Sequence, residues 1–255
     1  MTVVATVGTT HPFAFAGLAF AVLALADDGV RPVCVVAGVS AQDALHVRAH
    51  RAIDAPMIRA QFEALRAAGV AAFHVGALTS AAAVHAVAAG LATYPGIPVV
   101  VDPVLAAGGG DALSDDATRD ALRDVLFARA TLVTPNLDEA AAFVGRRIED
   151  VDAMRGAATA LRAFGATAVL VKGGHLAGDP ADVLADDRGT RTFTGARVAG
   201  TLRGTGDLLA VTIAAALARG STLDESIDAA RRRVASAIAT GVAFAGTRVT
   251  KFERG

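Results

Sequence analysis

Tryptophan is absent from this 255-residue chain, cysteine and tyrosine occur once each, and only two of the 24 basic residues are lysines. The lone thiol, Cys34, closes no intramolecular disulfide, and no Cys/His cluster stands at the spacing of a structural zinc site. A cytoplasmic setting fits that usage. Cys34 lies in the apolar run 32–37, which predicts a buried structural thiol rather than a nucleophile. Neither sign of charge is in surplus: 24 Lys+Arg stand against 25 Asp+Glu, a formal charge of −1. Nucleic acid and anionic membrane surfaces are therefore not expected partners, and a small molecule is. No Pro/Ser-rich linker, low-complexity segment or internal repeat interrupts the chain, so residues 1–255 read as a single domain.

Segment 13–26 (FAFAGLAFAVLALA) ends in a cleavage-like Ala24-Leu25-Ala26 triplet. No Lys or Arg precedes Arg31, however, so the positive region of a signal peptide is missing. The run is also shorter than the roughly 20 apolar residues that span a bilayer. It reads as a buried helix. Short β-rich apolar runs recur at 3–7, 32–36, 72–75, 98–101, 131–133 and 168–171, with Ala-rich helical stretches at 55–68, 80–93, 115–127 and 154–164. Alternation of this kind means βαβ units and a parallel sheet. Beyond residue 180, 182–186 and 191–194 read as a β-hairpin, followed by helices over 207–219 and 223–244, the second opened by a Ser221/Thr222 cap with Glu225 at capping-box spacing.

Breakers follow several strands: Gly8, Gly38, Gly76, Asp102-Pro103, Pro135-Asn136 and Gly173-Gly174. Ligands of open α/β sheets bind at those carboxyl ends. Arg203-Gly204-Thr205-Gly206-Asp207 directly precedes an apolar helix, so backbone N–H groups of Gly204, Thr205 and Gly206 can converge on an anion where the helix dipole also favours negative charge. Asp207 at its rim is either a helix cap or a base that takes a proton from an alcohol while the N–H groups hold the phosphoryl group under attack. Lys172, at a strand end beside Gly173 and Gly174 in a chain that otherwise uses arginine, suits nucleotide phosphates. Asn136 and Glu139 form either a helix-capping pair or part of a Mg²⁺-nucleotide site, with Glu139 acting through water. Asp102 is placed to face the same cation.

Taken in order, Val101-Asp102-Pro103-Val104, Gly110-Asp111-Ala112-Leu113, Thr134-Pro135-Asn136-Leu137 with Glu139-Ala140, Val171-Lys172-Gly173-Gly174-His175 and Gly204-Thr205-Gly206-Asp207 resemble the ribokinase-like superfamily. The resemblance covers roughly residues 30–220 and is greatest to the hydroxymethylpyrimidine/phosphomethylpyrimidine kinase branch of thiamin biosynthesis. It implies a three-layer αβα sandwich with a mostly parallel sheet, a homodimer, and ATP- and Mg²⁺-dependent phosphorylation of a small hydroxymethyl compound. Asp207 is then the base. Gly204, Thr205 and Gly206 hold the phosphoryl group, Lys172, Gly173, Asn136 and Thr205 the nucleotide, and Glu139 with Asp102 the metal. Gln42, in a Ser40-Ala41-Gln42 element similar to the family's TAQ, joins Val104 and Gly8 against the substrate ring.

Three departures bear on substrate choice. The branch's GSDPSGGAGIQAD-like segment is replaced by an apolar first connection carrying Phe13, Phe15, Leu18 and Phe20, with Ala21 where an acidic substrate contact is expected. The AKSGDAL loop loses its lysine, reading Ala107-Gly108-Gly109-Gly110-Asp111-Ala112-Leu113, and GTGC becomes Gly204-Thr205-Gly206-Asp207. A more apolar ring site follows from the first, and a conventional base from the last. Pyridoxal kinase is the alternative within the superfamily, and a non-catalytic ligand-binding homologue the alternative outside enzymes.

Overall fold

The computed structural model describes residues 1–176 and 178–252. Strands β1 (Val3–Thr10), β2 (Arg31–Gln42), β3 (Val47–Ala52), β4 (Val70–Val75), β5 (Val99–Val101), β6 (Leu132–Val133), β7 (Ala168–Val171), β8 (Ala181–Asp186) and β9 (Gly189–Thr194) form one sheet in the order β3-β2-β1-β4-β5-β6-β7-β8-β9. Pairing from β2 through β7 is parallel, and β3, β8 and β9 are antiparallel additions at the two edges. Helices α1 (Gly17–Asp27), α2 (Ala55–Ala64), α3 (Ala81–Leu91), α4 (Asp116–Ala121), α5 (Leu137–Val144), α6 (Val151–Arg162), α7 (Thr205–Ala218) and α8 (Leu223–Thr240) complete it.

The period-2 alternation of strand side chains divides the helices into two layers. Odd positions such as Val7, Val75, Val101, Val133 and Val171 pack with α2, α3, α5 and α6, while even positions such as Val4, Ala72, Val100, Leu132 and Leu170 pack with α1, α7 and α8. Residues Asp207 to Ala216 of α7 are all buried, which explains its apolar composition on every side. The chain is therefore the three-layer αβα arrangement expected of the ribokinase-like fold. Strand order reverses between β1 and β4, so the ligand crevice of this sheet opens at their carboxyl ends.

The structure departs from the sequence reading at four places. Residues 11–16 are a loop, and the buried helix starts only at Gly17. β3 forms from VRAHRA, an edge strand too polar to announce itself by hydrophobicity. The last helix ends at Thr240, because Val242–Phe244 (β10) and Thr247–Val249 (β11) turn back on each other as a separate hairpin. Cys34 is exposed rather than buried: it lies in β2 opposite Thr6 of β1, and the helices that pack against β2, α1 and α2, leave that position uncovered.

Candidate active site

The even-numbered row that is apolar beneath α7 turns polar at its carboxyl end. Thr6, His74, Asp102 and Thr134 are buried there, with Lys172 at the end of β7. Thr6 Oγ1 and His74 Nδ1 lie 3.0 Å apart. Asp102 Oδ1 accepts from Lys172 Nζ at 2.6 Å and from Thr134 Oγ1 at 3.2 Å. Asp102 is only 2% exposed, so this is a desolvated ion pair, held by position rather than by surface attraction.

The start of α7 closes over this row. Gly204 is its N-cap with φ 77, and a side chain there would meet the Phe15 carbonyl oxygen, so the position requires glycine twice over. No side chain caps the helix, and the first-turn N–H groups are left for an anion. Asp207 is thus not the cap. It sits in the first turn, buried, and its Oδ1 accepts from the Gly17 amide at 3.1 Å. Gly206 lies between the two: a Cβ on it would be 3.2 Å from Lys172 Nζ and 3.4 Å from Asp102 Oδ2. Gly206→Ala adds a good helix former but puts a methyl against the Lys172 ammonium, where the sequence leads one to expect a phosphate. We expect retained thermal stability with at least about a 10-fold loss in kcat/KM for nucleotide, an outcome read from paired melting and kinetic measurements.

Charges converge here, and their pKa values follow. Burial, then the Asp102 charge, push Asp207 up to about 7, against the Gly17 hydrogen bond and Lys172. Burial likewise raises Glu139 to about 7, opposed by Lys172. Burial alone would depress the Lys172 ammonium, but Asp102, Glu139 and Asp207 outweigh it and hold it above the ordinary lysine value. Burial lowers His74 to about 4, leaving it neutral. A base must be ionised to accept a proton, so kcat/KM should rise with pH on an ascending limb near 7. A profile already flat from pH 5 upward would exclude Asp207 as that base.

Asn136 and Glu139 are a true capping box at the start of α5: Glu139 N–H donates to Asn136 Oδ1 at 2.9 Å and Asn136 N–H to Glu139 Oε2 at 2.8 Å. The capping alternative is realised, yet Glu139 remains buried close enough to Lys172 and Asp102 to feel both charges. The Gly173 amide donates to Asp182 at 2.9 Å, and Asp182 pairs with Arg231, so this glycine holds the strand end while Lys172 carries the cation. Thr205 is the first residue of α7.

The three candidates for the substrate ring lie outside the charged cluster. Gly8 is in β1 at the crevice, and Val104 donates its amide to the Asp102 carbonyl at 2.8 Å. Gln42 ends β2, with its Oε1 accepting from Ser40 Oγ at 3.0 Å. Its hairpin is tied to the site's rim: Asp111 Oδ2 accepts from Val47 N–H at 2.7 Å, and the Arg203 guanidinium donates to the Ala44 carbonyl. One expectation fails. Ala21 is fully buried among Val4, Leu25 and Leu208, and Leu18 and Phe20 belong to the same inward face of α1, so only Phe13 and Phe15 stand in the loop. Two buried histidines, His11 and His74, escaped the sequence reading. A polar residue inside an otherwise apolar run, as in Val70–Val75, was the signal for the second.

A mostly parallel sheet between two helical layers, with a lysine–aspartate pair and a second buried carboxylate at an uncapped helix start, defines a ribokinase-like kinase. The family model described as phosphomethylpyrimidine kinase matches residues 12–250. The chain is 37% identical over 220 residues to hydroxymethylpyrimidine/phosphomethylpyrimidine kinase of Streptomyces coelicolor, covering 86% of this chain and 81% of that one. Its fold matches the ADP complex of Bacillus subtilis pyridoxal kinase with a TM-score of 0.89 at 26% identity, over 99% of this chain and 97% of that one. Phosphomethylpyrimidine kinase from Clostridium difficile matches with a TM-score of 0.83 at 24% identity, over 93% and 100%. The chain belongs to the phosphomethylpyrimidine kinase family and is a phosphotransferase.

Proposed function

We propose that this single-domain kinase transfers the γ-phosphoryl group of ATP to hydroxymethylpyrimidine or to its monophosphate, the step that serves thiamin biosynthesis, and that it works in the cytoplasm as a homodimer. No helix among the described residues is long and apolar enough to cross a membrane. The attacking oxygen forms a bond to the γ-phosphorus as the bond to the β-phosphate oxygen breaks and ADP leaves. When the acceptor is the alcohol, its proton passes to Asp207. The N–H groups of Thr205 and Gly206 hold the transferred group, and Lys172 neutralises charge on the phosphates; positioning and electrostatics supply most of such a rate enhancement.

No group of three or more candidate metal ligands occurs among the described residues. Mg²⁺ rests mainly on nucleotide phosphates and water and takes one or two carboxylates from the protein, and two buried carboxylates here lie close enough to feel each other's charge. Glu139 and Asp102 would hold it, and it would supply charge neutralisation between the phosphates.

The observation that carries this reading is the buried Lys172–Asp102 pair beneath Asp207, in a chain of this family. A second reading, phosphorylation of pyridoxal or pyridoxine, is favoured by the fold match to the Bacillus subtilis enzyme and by Asp207 in place of cysteine. A non-catalytic homologue would have no use for Asp207 and Lys172 together. The test is ADP release with MgATP and each of hydroxymethylpyrimidine, its phosphate, pyridoxal and pyridoxine. Turnover with the two pyrimidines above the two pyridines is expected, and the reverse order overturns the first reading.

A further inference from the structure

Arg203 immediately precedes Gly204, the N-cap of α7, and its backbone N–H donates to the Arg248 carbonyl at 3.0 Å, so the β10–β11 hairpin fixes where its side chain begins. That side chain reaches Gly108, in the loop after β5, and Ala44, in the turn between β2 and β3. The three atoms nearest to a Cβ placed on Gly108 all belong to Arg203: Nη1 would overlap it, and Cζ and Cδ follow at 3.5 and 3.7 Å. Gly108 is not in the left-handed region, so its own backbone makes no demand for glycine. The guanidinium takes the room that a side chain would need. Position 108 is also where the AKSGDAL loop that this segment resembles carries its lysine, so here a cation enters the loop from another part of the chain.

The charge on this partly buried guanidinium is unmatched among the described residues. Its one side-chain hydrogen bond there goes to the neutral Ala44 carbonyl oxygen. Other partly buried arginines end on carboxylates: Arg191 on Asp186, Arg231 on Asp182 and Arg233 on Asp27. A guanidinium is a planar fork of N–H donors that suits two oxygens of one phosphate, and most of this fork is unused beside an uncapped helix start. The two cations of the site also differ in placement. Lys172 lies against Gly206 and Asp102, within the field of Glu139. Arg203 instead ends at Ala44, two residues beyond Gln42, on the hairpin that Asp111 ties to the Gly108 loop through Val47. Lys172 thus stands with the nucleotide candidates, and Arg203 stands with a candidate contact to the acceptor.

We propose that Arg203 is a specificity-determining residue that binds the phosphate of a monophosphorylated acceptor, and that position 108 is kept free of a side chain to admit it. This deepens the kinase reading above and rests on it. Arg203→Gln removes the charge and keeps an amide that can donate to the Ala44 carbonyl. With MgATP, kcat/KM for hydroxymethylpyrimidine phosphate should fall by about 10-fold or more relative to kcat/KM for hydroxymethylpyrimidine, the usual scale for one charged hydrogen bond. Adding Gly108→Lys to that variant returns a cation to the space the guanidinium held and should recover part of the loss. Arg203→Met, which keeps the apolar stem, is read in the same way if the glutamine variant does not fold. An unchanged acceptor ratio in a folded variant overturns the inference, and so does an equal loss with both acceptors. A double variant no better than the single one shows that charge at this place is not what the acceptor needs, and overturns it too. A parent enzyme that phosphorylates no member of the panel above overturns the kinase reading and this inference together; a parent active on hydroxymethylpyrimidine but not on its phosphate removes the inference alone.

Discussion

Asp207→Asn is expected to lower turnover by about 10²–10⁴-fold, the usual contribution of a general base, with ATP affinity changed little. The amide keeps an oxygen for the Gly17 N–H and cannot take the acceptor's proton. Folding should survive on electrostatic grounds as well. Burial raises the native pKa of this carboxyl from 3.8 to about 7, so the native state binds the proton more tightly than the unfolded chain does. Its contribution to stability falls as pH rises across that window, and asparagine removes that dependence. Melting at pH 8 should therefore show the variant at least as stable as the parent. If turnover persists within a few-fold, the carboxylate merely anchors Gly17; if nucleotide binding collapses too, its role is structural or tied to the metal.

Lys172→Ala should cost on the order of 10- to 1000-fold in kcat/KM for ATP, the range for loss of one electrostatic contact at a phosphate. The single variant also leaves Asp102 buried without its partner, a state that typically costs about 3–5 kcal/mol, so low activity could report a damaged fold. The double variant Lys172→Met with Asp102→Asn separates the two. It removes both charges, and stability should recover much of the way to the parent's while kcat/KM stays low. Parental kcat/KM in the stable double variant would show that neither residue serves the phosphates.

Much of the fold was legible because buried parallel strands carry their own signature. The runs at 72–75, 98–101 and 168–171 are largely apolar on both faces and are followed within two residues by Gly or Pro, and each appears as a strand or the end of one. β3 and the β10–β11 hairpin were not legible, since short exposed strands obey pairing partners rather than hydrophobicity. At the site, Gly204, Gly206, Asp207, Lys172 and Asp102 stood out as chemistry at strand ends and a helix start, and the fold brings them together. What distinguishes a cap from a base is position in space. Asp207 and Asn136 occupy similar places in the sequence, each beside a helix start, yet Asn136 caps α5 and Asp207 turns instead to the Gly17 amide. Cys34 and Ala21 were misjudged for a related reason: the length of a helix layer, and which face of α1 looks inward, decide exposure, and neither is written in a local run.

The hydrogen bond from Gly17 to Asp207 joins residues 190 positions apart. During synthesis the central strands β1, β4 and β5 are complete long before α7 leaves the ribosome, and until then Val4, Ala72 and Val100 have no helix α7 to cover them. A nascent or truncated chain ending before residue 205 thus carries an apolar sheet face and lacks Asp207, a combination prone to aggregation rather than to partial activity. Phosphoryl transfer in this protein is an all-or-nothing property of chain length, and fragments from premature termination are expected in the insoluble fraction.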